Sequence, residues 1–300
     1  MKIFSLENKS DAKSVIALGY FDGVHLGHRA VLKVATEQAK SRGVLSAVFS
    51  FTDNKKEGKK SQLGRIFSTQ RKCELLSELG FDFVIMPDFS AFSSLSPEEF
   101  VDILKTNFNA VAFVCGKDFR FGKGAAGDVR LLNELASQSN ISTYIVDDVV
   151  LDGENVSSTR IRNALSNGDI KTANMLLGRK YSISAEVAHG KHIGSRLLYP
   201  TINQPFEDGA ALLKFGVYAS KTIYDQKEML SITNIGVCPT FLDERKPTSE
   251  TYIIDANVDL YGKTVEVQLI EFLREEKKFA GPEELKIQIE KDIETVKKLG

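Results

Sequence analysis

The hydrophobic period of this chain changes once, near residue 179, and that change limits the folds open to it more than any other feature. Before it, short apolar runs at 14–18, 44–51, 81–86, 110–115 and 141–146 alternate with stretches whose apolar residues recur at helical spacing. After it, residues 181–187, 217–222, 230–235, 250–254 and 265–272 read as short strands, several alternating apolar and polar, with turns and no helical stretch between them. The first pattern predicts an α/β domain, Rossmann-like, whose parallel sheet has right-handed crossovers and takes ligands at the carboxyl ends of its strands. The second predicts an antiparallel β-barrel. Gly281-Pro282-Glu283-Glu284 then opens a C-terminal helix, whose Leu285, Ile289, Ile293 and Val296 form one stripe that should lie across the barrel. Two domains result, 1–178 and 179–300, which also suits a length of 300 residues.

Local signals fill in the first half. Ser68 and Thr69 can cap a helix running to Gly80, with Leu75, Leu76 and Leu79 inward. Ser96-Pro97-Glu98-Glu99 is a capping box with proline at the first helical position. Residues 169–177, closed by Gly178, make the last helix of this domain. Charge excludes one class of partner: 39 Lys and Arg against 40 Asp and Glu leave a formal charge of −1, so no global basic field points to nucleic acid. No apolar run approaches the ~20 residues that span a bilayer, and residues 1–10 lack a signal core, so a cytoplasmic protein with no membrane partner is expected. Cys73, Cys115 and Cys238 are scattered and odd in number, which argues for small buried apolar residues rather than disulfides or nucleophiles.

Three stretches carry chemistry. Gly19-Tyr20-Phe21-Asp22-Gly23-Val24-His25-Leu26-Gly27-His28 joins the first strand to a helix that runs to Gly43. Gly19, Gly23 and Gly27 let the backbone turn and approach a ligand. The new helix offers unpaired N–H groups to phosphate, with His25 and His28 as further donors, an arrangement suited to nucleotidyl transfer. Metal-ligand spacing is missing there, although Asp22 can meet a magnesium ion through water. Gly116-Lys117-Asp118-Phe119-Arg120-Phe121-Gly122-Lys123-Gly124 interleaves aromatic rings with cations and suits a phosphorylated heterocycle; the plain alternative is a turn whose Phe side chains pack inward. Ser157-Ser158-Thr159-Arg160-Ile161-Arg162 sets hydroxyls and arginines at a helix start, a second anion pocket. The basic stretch 55–61 reads as a solvated loop, with a mobile flap above a triphosphate as the alternative.

These motifs, in this order, resemble the bacterial bifunctional riboflavin kinase and FAD synthetase family. The resemblance runs on through Gly178-Arg179-Lys180-Tyr181, Pro200-Thr201-Ile202-Asn203, Phe215-Gly216-Val217-Tyr218, Asn234-Ile235-Gly236-Val237-Cys238-Pro239-Thr240, Glu250-Thr251-Tyr252-Ile253, Leu260-Tyr261-Gly262-Lys263 and Arg274-Glu275 before Phe279. It implies two reactions: phosphorylation of riboflavin to FMN in the barrel, and adenylylation of FMN to FAD in the α/β domain with release of pyrophosphate. It implies ATP and Mg²⁺ as cosubstrate and cofactor. By the same resemblance, Gly19, Phe21, Gly23, His25, His28, Ser158, Thr159, Arg160 and Arg162 bind ATP in the first domain, and Asp118, Phe119, Arg120 and Phe121 bind flavin. In the barrel Thr201 and Asn203 bind nucleotide and magnesium, Arg274 binds flavin, and Glu250 is the base. His28 is the catalytic charge donor of adenylylation. The expected partners are small molecules alone, the expected state a monomer or weak homo-oligomer.

The chain departs from the family pattern in two places. Thr52-Asp53-Asn54-Lys55-Lys56 replaces a proline- and histidine-containing turn; Leu198 stands where a glycine is expected and Ser195, beside Arg196, where an arginine is. Two other readings therefore remain at this stage: an FAD synthetase whose barrel only binds flavin, and a flavin-nucleotide sensor without turnover. Thr201, Asn203 and Glu250 argue against both, because a binding module needs no carboxylate beside the reacting hydroxyl.

Overall fold

The computed structural model describes residues 1–52, 64–188, 199–237, 247–256 and 258–299. The basic stretch 55–61, Asp53 and Asn54, Ser195, Arg196 and Leu198, and Cys238-Pro239-Thr240 lie outside the described residues. The chain forms two compact units, Met1–Ser158 and Thr159–Gly300.

The first unit is built on a six-stranded parallel sheet in the order β1-β4-β3-β2-β5-β6. Its strands are β1 (Lys2–Phe4), β2 (Ser14–Leu18), β3 (Leu45–Phe49), β4 (Phe83–Ile85), β5 (Ala110–Gly116) and β6 (Ser142–Val146). Every residue of β2 is buried, which is why it reads as a continuous apolar run rather than an alternating one. The crossovers are α1 (Leu26–Arg42), α2 (Thr69–Glu78), α3 (Pro97–Phe108) and α4 (Val129–Gln138). α1 ends on Gly43 in the left-handed conformation, and α3 carries both hydrogen bonds of the Ser96/Glu99 capping box. A small hairpin, β7 (Val150–Leu151) and β8 (Glu154–Asn155), follows β6. Leu18, Phe49, Phe83, Phe100, Phe108 and Phe113 share one core. From β2 the chain proceeds to β3 and β4 on one side, then returns to β5 and β6 on the other. The strand order thus reverses between β2 and β5, where open α/β sheets bind ligands.

Several boundaries move. The runs 44–51 and 81–86 shorten to β3 and β4, and β1, only three residues long, was not expected. α2 is capped by Ser68 as expected, but its inner face buries Lys72 beside Leu75 and Leu76, and Leu79 is the C-cap. Cys115 is buried, whereas Cys73 is half-buried.

The second unit opens with α5 (Ser158–Asn167, beginning one residue earlier) and α6 (Ile170–Leu177). α6 is capped by Asp169 and closed by Gly178. It packs on a later strand, β14 (Thr264–Arg274), where Asn174 Nδ2 donates to Leu269 O at 3.0 Å. An antiparallel sheet follows in the order β10-β13-β12-β11-β14-β9. Its strands are β9 (Ser182–Glu186), β10 (Thr201–Pro205), β11 (Gly216–Tyr224), β12 (Lys227–Val237), β13 (Pro247–Ile253) and β14 (Thr264–Arg274). An Ala188–Asn203 bridge joins its two edges and nearly closes the barrel, while Gln204 Nε2 donates across that seam to Ala185 O and Val265 O, both at 2.8 Å.

One face of this sheet buries hydroxyls. Thr222 Oγ1 donates to Ser231 Oγ at 2.9 Å; Ser231 bonds Ser220 at 3.0 Å, Ser220 bonds Thr233 at 2.8 Å, and Thr233 bonds Thr251 at 2.9 Å. All five side chains are fully buried, so each depends on another for its hydrogen bond. The opposite face packs under α7 (Pro282–Leu299), where Val217, Ala219, Ile232, Ile254 and Val296 are buried with Ile293 against them. Of the stripe expected on α7, Ile293 and Val296 make this contact, and Asp292, buried, stands beside them.

Candidate active sites

β2 ends at Leu18, and residues 19–28 build the first site. Of the three glycines, only Gly23 has positive φ (81°); the other left-handed residues of the turn are Phe21 (52°) and Val24 (42°). A left-handed conformation costs an ordinary residue about 1–2 kcal/mol, and more than usual for a β-branched one, so this turn stores strain. Gly19 and Gly27 serve close approach instead. A Cβ on Gly19 would lie 2.9 Å from the Phe21 ring; one on Gly27 would lie 3.2 Å from the His25 ring and 3.3 Å from Val156 O.

His25 is buried and caps α1: its Nδ1 accepts from His28 N at 3.2 Å. Its proton is therefore on Nε2, and only that nitrogen can donate. His28, in the first turn of α1, stacks on His25 with ring centroids 3.6 Å apart and meets the Phe21 ring edge-on at 5.3 Å. Phe21, His25 and His28 thus form one packed group at a helix N-terminus. Asp22 is buried, and its carboxylate accepts from Ile66 N at 3.0 and 3.3 Å.

The second phosphate motif begins at this turn. Ser158 Oγ donates to Asp22 O at 3.0 Å, so the hydroxyl that opens α5 touches the motif that opens α1. Thr159, Arg160 and Arg162 follow on α5.

A lysine that sequence reading missed stands under the same turn. Lys72, 5 % exposed, donates from Nζ to Tyr20 O at 3.1 Å, Ser50 Oγ at 2.9 Å and Phe51 O at 3.2 Å, and lies 4.5 Å from the Tyr20 ring centroid. It ties the carboxyl ends of β2 and β3 together. Its signal in the sequence is a cation at i−3 and i−4 from Leu75 and Leu76, on the apolar stripe of α2.

After β5, Phe121 is buried in the core against Phe100, with ring centroids 5.5 Å apart, and pairs with Gly127. Half-buried Phe119 lies nearly parallel to it at 5.7 Å and 8°. A side chain at Gly127 would overlap the Phe121 ring, and one at Gly122 would overlap Pro97. Those glycines seat the loop. Arg120 pairs with Asp128 at 3.5 Å, Lys117 with Asp148 at 3.0 Å, and Asp118 is exposed. The Asp148 carboxylate raises the Lys117 pKa above its ordinary value, and burial pushes the Cys115 thiol up to about 12, so it stays protonated.

In the second unit, pairing gathers residues that lie far apart in sequence. Asn203 pairs with Glu250, Glu250 with Asn234, Asn234 with Val217, and Val217 with Arg274, forming one rung across β10, β13, β12, β11 and β14. Residues directly opposed in antiparallel strands share a face, with Cβ atoms about 4.5–5.5 Å apart. Thr201, two residues before Asn203, is on that face and pairs with Tyr252. Asn203 Nδ2 points at Thr201 O at 3.5 Å, leaving Oδ1 as an acceptor; with the Thr201 hydroxyl it makes a neutral oxygen pair of the kind that suits magnesium beside phosphates. Burial, with Glu290 near, raises the Tyr199 pKa, and burial with Asp255 near does the same at Tyr252, so both are neutral phenols.

Arg274 is held by α7. Its Nε donates to Asp292 Oδ2 at 3.0 Å and its Nη2 to the same oxygen at 2.8 Å, and Gln288 Nε2 donates to Oδ1 at 2.8 Å. Sequence reading missed Asp292, although an acid between Ile289 and Val296 in an apolar stripe is the same kind of signal as Lys72.

A family model for FAD synthetase matches residues 7–160, and one for riboflavin kinase matches residues 177–299. Proteins named bifunctional riboflavin kinase/FMN adenylyltransferase are similar along nearly the whole chain. The one from Listeria monocytogenes is 34% identical, covering 94% of this chain and 91% of the relative; that from Bacillus subtilis is 34% identical, covering 96% and 92%; that from Escherichia coli is 32% identical, covering 97% and 94%. A crystal structure of a protein described as a macrolide-efflux protein from Streptococcus pneumoniae superposes with a TM-score of 0.88 at 28% identity, covering 99% of each chain.

Proposed function

The chain belongs to the bifunctional riboflavin kinase/FMN adenylyltransferase family, and from that premise we propose which of its residues carry the two reactions. The enzyme phosphorylates riboflavin to FMN with ATP and adenylylates FMN to FAD with ATP, releasing pyrophosphate. The readings of the barrel as a disabled kinase or of the whole as a sensor give way to this one.

For the kinase, the observation that carries the proposal is the rung holding Asn203, Glu250 and Arg274. Glu250 accepts the proton of the ribityl 5′-hydroxyl as its oxygen attacks the γ-phosphorus of ATP, and ADP leaves. Thr201 and Asn203 would hold Mg²⁺, which when bound offsets charge on the phosphates. Arg274 borders the flavin.

Adenylylation needs no covalent intermediate. An FMN phosphate oxygen attacks the α-phosphorus, the bond to the β-phosphate oxygen breaks, and pyrophosphate departs. His28 and the α1 N-terminus stabilise the charge that develops, with Gly19, Phe21, Gly23 and His25 shaping the turn and Ser158, Thr159, Arg160 and Arg162 binding ATP phosphates. Asp118, Phe119, Arg120 and Phe121 border the flavin; Phe121, being core, acts by seating Phe119. We assign adenylylation to residues 1–178 and phosphorylation to 179–300, and place the enzyme in the cytoplasm.

The test is a time course with riboflavin, ATP and magnesium in which FMN and FAD are separated. Glu250→Gln should lower FMN formation by about 10²–10⁴ yet still convert supplied FMN to FAD. His28→Ala should accumulate FMN, with FAD formation down about 10²–10³. Arg160→Ala and Arg162→Ala should raise the KM for ATP in adenylylation only. Loss of the same activity in Glu250→Gln and His28→Ala, or of neither, would refute the assignment.

A further inference from the structure

Asn234 stands on the kinase rung beside Glu250, and its amide is oriented by a partner from outside the sheet. Asn234 Nδ2 donates to Glu276 Oε1 at 3.0 Å. A carboxylate oxygen accepts, so the nitrogen of this amide faces Glu276 and the carbonyl oxygen faces the other way. That oxygen, Asn234 Oδ1, is buried and accepts no hydrogen bond among the described residues. A buried acceptor without a donor is rare and calls for a reason; a ligand that supplies the donor is one.

The seat of Glu276 is also built. Gly236 lies two residues after Asn234 on β12 and faces the same side. A Cβ there would overlap Glu276 Oε1 and lie 3.0 Å from its Cδ, so the carboxylate occupies the space that glycine leaves. Arg274, fixed by Asp292, ends β14 two residues before Glu276 and so brings that side chain back to β12.

We infer that Asn234 is a substrate-binding residue of the kinase, its Oδ1 accepting a hydrogen bond from a hydroxyl of the ribityl chain, and that Glu276 is the positioning residue that turns this oxygen toward the substrate. This rests on the assignment of Glu250 as the base. The hydroxyl to be phosphorylated must reach Glu250, and the rest of a polyol chain carries further O–H donors at adjacent carbons. Asn234, directly across from Glu250, offers an acceptor where such a donor arrives. The isoalloxazine ring supplies no such hydroxyl, so the contact reads the chain and not the ring.

Asn234→Ala should raise the KM for riboflavin about tenfold, the usual worth of one hydrogen bond between neutral groups, with the KM for ATP and the adenylylation of supplied FMN unchanged. Binding of lumiflavin, which has the ring without the ribityl chain, should not weaken. Glu276→Ala, which frees the amide to rotate, should raise the riboflavin KM severalfold. Glu276→Gln, which keeps an acceptor for Asn234 Nδ2, should recover most of that loss, and Gly236→Ala, which displaces the carboxylate, should resemble Glu276→Ala. Glu250→Gln run alongside separates the two ideas. If it has lost FMN formation while Asn234→Ala keeps the wild-type KM for riboflavin, the inference is wrong and the base stands. If Glu250→Gln phosphorylates normally, both fall. Should Asn234→Ala fail to fold, the Glu276 pair decides: equal losses in Ala and Gln, or lumiflavin binding weakened as much as riboflavin binding, overturn the inference.

Discussion

Replacing Asp292 by alanine tests what holds the C-terminal helix to the barrel. The side chain is only 7 % exposed and faces Arg274, which is 21 % exposed, through contacts of 2.8 and 3.0 Å, with Gln288 adding a third at 2.8 Å. Breaking a fully buried ion pair costs about 3–5 kcal/mol because the surviving charge stays behind. Here Arg274 reaches some water, which reduces the loss to about 2–4 kcal/mol. In a unit of this size each kcal/mol moves the unfolding midpoint by about 2–4 °C, so Asp292→Ala should unfold the barrel that follows α6 about 4–16 °C early. The assay is residual activity after stepped heating. FMN formation should fail at the lower temperature while FAD formation from supplied FMN fails where it does in the wild type. Arg274→Met with Asp292→Leu should restore most of the midpoint, since an apolar pair of similar volume suits the stripe around it, without restoring riboflavin affinity. A midpoint for Asp292→Ala within a degree of the wild type would refute the reasoning and make the pair an incidental surface contact.

Lys72→Met should lower FAD formation and leave FMN formation intact, because the oxygens of Tyr20, Ser50 and Phe51 lose their shared donor at about 1–3 kcal/mol for a buried unsatisfied group; equal adenylylation in Lys72→Met and wild type would remove Lys72 from the site. A fragment spanning 159–300 should keep FMN formation to a higher temperature than one spanning 180–300, since the shorter piece loses α6 and its packing on β14; superimposable melting curves would contradict this.

Local features were legible in the sequence because their causes are local. Ser96, Pro97 and Glu99 satisfy one another within a single turn, so the start of α3 can be read without knowing anything else about the fold. The glycine-rich turn after β2 was found for the same reason, but composition gave no sign that Phe21 and Val24 would share the left-handed conformation with Gly23. Tertiary packing overrides conformational preference there. Lys72 and Asp292 escaped notice because a charge inside an apolar stripe is interpretable only when its partner is known, and Arg274 is 18 positions from Asp292. The rung from Asn203 to Arg274 depends on the register of four strand pairings, and register is a property of the assembled sheet. Sequence order could name Asn203, Glu250 and Arg274 as site residues; it held nothing to say that Asn234 lies between them.

The hydroxyl chain inside the barrel bears on how sequences of this kind drift. Thr222, Ser231, Ser220, Thr233 and Thr251 satisfy one another in series, with water excluded from all five. A lone Thr233→Val exchange keeps the volume but strands Thr251 and leaves Ser220 bonded to Ser231 alone, at about 1–3 kcal/mol for the unsatisfied group, a large share of the 5–15 kcal/mol that a domain has in hand. Exchanging the linked hydroxyls together for apolar groups of the same shape is close to neutral. The interior is therefore open to inheritance in blocks and closed to it one position at a time: a lineage that begins to replace one hydroxyl crosses a less stable intermediate before its neighbours follow. Single substitutions at these five positions will be rarer than their conservative chemistry suggests.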